Sequence, residues 1–164
     1  MYEKRIQDAK SIAEIFSIVQ DIVKKYLKED QAGLLVGISD LGIGGQGFIG
    51  AYYSLSGNMI ILNKKPLMRI LQTNPYLYNY YVFHVLLHEY LHAIGSLNEA
   101  QTRQLTYEIS NHFFGQNHVL TQLASNMEKF LPNVTYPGIT FQPPETLDIE
   151  FVLGIDRKNL NYIV

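Results

Sequence analysis

Apolar side chains at Ile12, Ile15, Phe16, Val19, Ile22, Val23 and Tyr26 recur at the three- and four-residue spacing of a helix. They predict one amphipathic helix from about Ile6 to Leu27, with a broad core-facing stripe. The pattern then changes. "GLLVGIS" (33–39) reads as a short strand, and "GAYYSLSGNMIILN" (50–63) reads as a β-hairpin about its "SGN" turn. Helical spacing returns in "TNPYLYNYYVFHVLLHEYLHAIG", which opens with Asn74 as cap and Pro75 at the first helical position and closes at Gly95. A second helix is expected from near Ser96 or Asn98 to about Phe114, with Leu105, Ile109 and Phe113 facing inward. A third fits 118–131, with Leu120, Leu123, Met127, Phe130 and Leu131 on its inner side. Met127 is therefore expected in the core.

From Leu131 the composition shifts to proline-rich, extended runs. We expect a single α+β domain over residues 1–131. Residues 132–164 form a tail that packs back on it and adds a strand with "IEFVLGI". The proline-rich part, 132–148, is long enough to cross an active-site groove and keep an enzyme latent.

Composition narrows the chemistry. At 164 residues, 47% apolar and with a net charge of −2, the chain reads as an ordinary globular protein. No Lys/Arg cluster is dense enough to follow a phosphate backbone, so nucleic acid is not an expected partner. "MYEKRIQDAK" lacks the apolar stretch of a secretory signal, and "YYVFHVLLHEYLHAIG" is too short and polar to span a bilayer. A cytoplasmic location and no membrane partner are expected. There are no cysteines, which excludes disulfides and thiolate ligands and leaves His, Asp and Glu to hold any metal.

"LGIGGQGFIG" matches a GxGxxG pattern at Gly42, Gly44 and Gly47. A dinucleotide site needs a helix directly after that pattern, to set its N-terminus against the phosphates. A hairpin follows here instead, so the glycines read as a flexible or tightly turning loop.

The chemistry lies in "HEYLH". His88 and His92 are four residues apart on the predicted helix, one above the other, and can aim ring nitrogens at a common ion. Glu89 stands one step round. It reaches solvent bound to that ion rather than the ion itself, as suits a general base. The bland alternative is a buried helix carrying these residues by chance. Three ionisable groups in an apolar run would then enter a core uncompensated, at considerable cost.

The series helix, strand, hairpin, helix with "HEYLHAIG", glycine, second helix resembles the N-terminal half of the zincin metallopeptidases. It is similar in particular to minimal single-domain microbial members, over roughly residues 30–115. The resemblance implies a zincin-like α+β fold: an N-terminal helix, a small mixed twisted sheet, an active-site helix followed by a second helix, and an irregular tail. It implies zinc held by His88 and His92, Glu89 as catalytic base, and a peptide substrate added in extended form to one strand of the 47–63 hairpin.

The third ligand stays open. A metzincin pattern would place it at 98, where Asn98 stands; a gluzincin pattern needs a longer connection. Geometry favours Glu99, which the turn at Gly95 returns beside His92. Yet "SLNE" (96–99) is also a capping box. Glu108, about 13 Å further along the helix, and His112 and His118 are the alternatives. His84 and His92 are separated by about 12 Å of rise, so three histidines cannot share one ion. His84 reads as a rim, supporting or core histidine. Tyr52, Tyr53, Tyr90, Tyr107 and Tyr136 are candidate oxyanion donors. Peptide deformylases share HExxH, but they need an upstream cysteine that this chain lacks. A non-catalytic zincin-like domain that only binds a peptide or partner strand is the remaining rival.

Overall fold

A computed structural model describes residues 1–42, 48–95, 98–131, 134–135 and 147–155. The described residues form six α-helices and a small mixed sheet, an α+β arrangement.

The N-terminal helical pattern resolves into two helices, α1 (Tyr2–Asp8) and α2 (Ile12–Leu27). The single helix predicted for this region is corrected by a local device. Ala9 is extended, and Ser11 caps α2 by accepting from the Glu14 amide at 3.1 Å. Glu14 reaches back to the Lys10 amide at 2.7 Å. This Ser-x-x-Glu signature restarts the helix where the apolar stripe alone would have carried it through.

Strands β1 (Leu35–Ser39), β2 (Phe48–Ile49), β3 (Ala51–Ser54) and β4 (Met59–Asn63) follow. The predicted hairpin is β3–β4, paired antiparallel from Ala51–Leu62 to Ser54–Met59. β4 also pairs in parallel with β1. It lies second in the sheet order and buries Ile60, Ile61 and Leu62 completely, as an inner strand covered on both faces does.

Helix α3 (Lys64–Thr73) follows β4 directly, in a stretch to which the sequence pattern assigned no element. Its start is written in Asn63, which caps it, with Pro66 in the first turn and Leu67 and Ile70 buried. Fully buried Asn63 also accepts from the Leu41 amide at 3.1 Å and donates to the Gly42 and Ile49 carbonyls at 3.2 and 2.8 Å. One side chain thus ties the segment after β1, the segment before β3 and the start of α3.

A 3-10 turn over Pro75–Leu77 leads into α4 (Tyr78–Ala93), so Pro75 opens the turn rather than the α-helix, and Asn74 makes no side-chain cap. Every residue from Tyr81 to Leu91 is buried. A helix apolar on all faces belongs at the centre of a fold, and α4 is packed by α2, β3, α5 (Glu99–Phe114) and α6 (Val119–Ser125). Each fully buried Leu, Val or Phe contributes about 1.5–3 kcal/mol. That gain offsets the cost of burying His84, His88 and Glu89 in the same helix.

The third helical pattern ends at Ser125, with a 3-10 turn over Met127–Lys129. Met127 is buried, as expected. In the tail, β5 (Val134–Thr135) pairs in parallel with β2. β6 (Glu150–Phe151) pairs antiparallel with β1 and closes the sheet order β3-β4-β1-β6. The "IEFVLGI" expectation is met by these two residues and by the Val152 amide bonding the Val36 carbonyl at 2.9 Å. Ile149 lies over Gly37 so closely that a Cβ there would come within 2.6 Å of it. Most of 132–148 and Gly44 and Gly47 lie outside the described residues. No helix among the described residues is long and apolar enough to cross a membrane.

Candidate metal centre

The last turns of α4 and the first of α5 build the site. Asn98 caps α5 by accepting from the Gln101 amide at 2.8 Å. Glu99 is therefore the first helical residue, not the third as the capping-box reading had it. Its side chain is left out of the cap and turns toward α4.

There it meets both histidines. His92 Nε2 lies 2.6 Å from Glu99 Oε1, and His88 Nε2 lies 3.1 Å from Oε2. The ligand atoms of His88, His92 and Glu99 all lie within 4.8 Å of one another. An ion about 2.0–2.2 Å from each nitrogen and oxygen requires ligand atoms about 3.3 Å apart; the contacts to Glu99, at 2.6 and 3.1 Å, lie a little inside that value, and Glu99 would move outward to admit the ion. Two imidazoles and one carboxylate with no thiolate are a donor set that zinc accepts. These three residues fit a divalent ion.

The electrostatics prepare the same set. Burial pushes the His88 imidazole below its ordinary value and keeps it neutral, although Glu99 pulls the other way. For Glu99, burial alone would raise the carboxyl. Hydrogen bonds from His88 and His92, with the charge either ring carries when protonated, overcome it and hold the group down to about 2. A neutral ring beside an ionised carboxylate is the protonation state that ligation needs.

Glu89 stands next to this cluster, and its Oε2 has no hydrogen-bond partner among the described residues. Burial, reinforced by the Glu99 charge, raises its pKa well above the ordinary carboxylate value. An unbonded, buried carboxyl oxygen is costly for stability alone. Perturbed acids of this kind concentrate where protons are handled.

The other candidates lie elsewhere. Glu108 is exposed and accepts from Gln104 at 3.1 Å. His112 is exposed and packs its ring on Tyr26 and Phe113. His118 caps α6 and contacts Glu3. His84 is buried one turn before His88, its pKa pushed down to about 3 by burial and by His88. Together these two line a cavity of about 160 Å³, with Thr106 of α5 and Leu123 and Met127 from the α6 end. Tyr90 accepts from the Gln31 amide at 3.0 Å, and Tyr53 donates to Asn58 at 3.0 Å. Both have structural partners away from the three ligands; Tyr136 lies outside the described residues.

Protein families, curated proteins and solved structures all yield no match to this chain. The chemistry of the site rests on its own residues.

Two of these residues, and one polar group nearer the start of α4, were not marked in the sequence. Arg103 Nε lies 3.9 Å from Glu99 Oε2; the Glu99–Arg103 spacing of four on a helix is its signal. Thr102 is fully buried with its hydroxyl 3.5 Å from His92 Nδ1. Tyr81, buried on α4, has a hydroxyl with no hydrogen-bond partner among the described residues. It abuts Gly50, where a Cβ would come within 2.7 Å of it.

Proposed function

We propose that the chain is a zincin-like, zinc-dependent metallopeptidase that hydrolyses peptide bonds with Glu89 as general base. The observation carrying this reading is the convergence of His88, His92 and Glu99 on one point, with the buried carboxyl of Glu89 beside it.

His88, His92 and Glu99 would hold the ion. When bound, it supplies Lewis acidity, drawing the pKa of water toward about 7 and polarising a carbonyl. The remaining work falls to the chain. β3 ends the sheet order and leaves its outer edge open among the described residues, so an extended peptide can add there through main-chain hydrogen bonds. β2, just before it, has its own edge taken by β5. Glu89 takes a proton from water as the oxygen forms its bond to the scissile carbonyl carbon. It returns that proton to the nitrogen as the C–N bond breaks, leaving a carboxylic acid and an amine, which pass on a proton between them to end as carboxylate and ammonium. The apolar walls of α4 keep bulk water from competing for that proton.

Loss of one general base typically costs about 10²–10⁴ in rate. Turnover of unstructured polypeptides by the zinc-loaded chain and by its Glu89→Gln variant tests the reading. The expected result is zinc content retained with hydrolysis lost. Hydrolysis unchanged in Glu89→Gln contradicts the assigned role, and a zinc-loaded parent without hydrolysis leaves a peptide-binding domain instead.

A further inference from the structure

We propose that Thr102 is a positioning residue that fixes the His92 ring so that Nε2 faces the centre. The inference rests on the divalent-ion reading above and adds a device that the HExxH spacing does not contain.

The inner face of α5 is unusual for a helix against a core. Its buried residues include Thr102, Thr106 and Ser110, hydroxyl-bearing side chains at four-residue spacing. Facing them, α4 presents His92, His88 and His84 at the same spacing. The helices run in opposite directions: His92 meets Thr102, while His88 and His84 share a cavity wall with Thr106. A hydroxyl row thus runs alongside a histidine row.

At the end nearest Glu99 the contact is explicit. Thr102 Oγ1 donates to the Asn98 carbonyl at 2.8 Å and lies 3.5 Å from His92 Nδ1. A hydroxyl has one proton. With that proton given to Asn98, only lone pairs can turn to the ring, and they accept from an Nδ1–H. A neutral imidazole protonated at Nδ1 presents Nε2 as a bare lone pair. Nε2 is the atom that faces Glu99, 2.6 Å away, where a bound ion would take the place of the proton in that hydrogen bond. Asn98 is itself the α5 cap, so ring, hydroxyl, cap and the helix that starts with Glu99 are joined in one chain of bonds. Thr106 repeats the device one turn on, donating to the Thr102 carbonyl at 2.7 Å, and steadies the segment that carries Thr102.

The test compares Thr102→Val, which removes the hydroxyl but keeps a β-branched shape, with Thr102→Ser, which keeps the hydroxyl. Zinc affinity of the full chain is read by competition with a chromophoric chelator, and the Co²⁺-loaded visible spectrum serves as a second readout. Loss of a group that orients a ligating histidine typically costs 10- to 100-fold in metal affinity. Thr102→Val should lose about that much and alter the Co²⁺ spectrum, while Thr102→Ser stays within about threefold of the parent. Parent-like affinity in Thr102→Val, or equal loss in both variants, overturns the positioning role alone. A parent chain that takes up no zinc overturns the metal reading along with it.

Discussion

Histidines meet glutamates at two places among the described residues, and their second ring nitrogens set the two places apart. His118 meets Glu3 of α1 through Nε2, while its Nδ1 accepts from the Leu120 amide at 3.0 Å and caps α6. Both nitrogens are spent on the protein. Glu3 is likewise saturated, accepting from Tyr80 at 2.5 Å and Gln7 at 2.9 Å. At the other contact, two imidazoles present Nε2 to a single carboxylate, and a polar group stands behind one of them. The first arrangement is a clamp between helices. The second is a set of convergent donors, and only convergence makes a histidine–carboxylate pair a candidate for metal.

That comparison is broken most sharply by removing one histidine from each side. His92→Ala should weaken zinc binding by about two to three orders of magnitude, as losing one ligand of a small set implies. His118→Ala should leave zinc affinity unchanged, because nothing in its clamp points at the centre. Isothermal titration of both variants decides it.

The stability effects should run the other way. His118→Ala deletes a helix cap and should destabilise the fold by about 0.5–2 kcal/mol in urea denaturation. A pH series sharpens the same point. Burial raises the Glu3 carboxyl, but hydrogen bonds from Tyr80 and His118, with the His118 charge, hold it below its ordinary value of 4.5. A lowered folded-state pKa contributes stability that is complete above pH 4.5 and lost as pH falls through the folded value. Glu3→Gln should therefore flatten that part of the acid limb in metal-free protein. An acid limb identical to the parent's contradicts the clamp.

The difference between the two contacts also shows what a single sequence discloses. HExxH is legible because its geometry is internal to one helix: spacing of four alone stacks His88 on His92. Glu99 was legible only in part. Its position beside Gly95 suggested proximity, but the letters "SLNE" equally describe a cap, and only the location of Asn98 at the N-cap frees the carboxylate. His118 gave no signal for Glu3, since their contact crosses 115 residues of chain. Thr102 was hidden in a similar way, because a threonine in a helix says nothing until the facing helix is known.

In the fold, the helical character of the long periodic segments was legible, while their breaks and ends, and α3 altogether, were not. The break at Ala9 and the start of α3 are both cap-driven, each decided by one polar side chain, Ser11 and Asn63. A strand in the tail was suggested by its extended composition, while its partner β1 and its register, Phe151 opposite Gly37, were not, and Ile149 fills the space a Cβ at Gly37 would need.

The central claim is tested most directly by crystals of the zinc-loaded chain with data collected at the zinc absorption edge. An anomalous peak about 2.0–2.2 Å from His88 Nε2, His92 Nε2 and a Glu99 oxygen is the expected result. A peak elsewhere, or none with the two imidazoles turned apart, would contradict it.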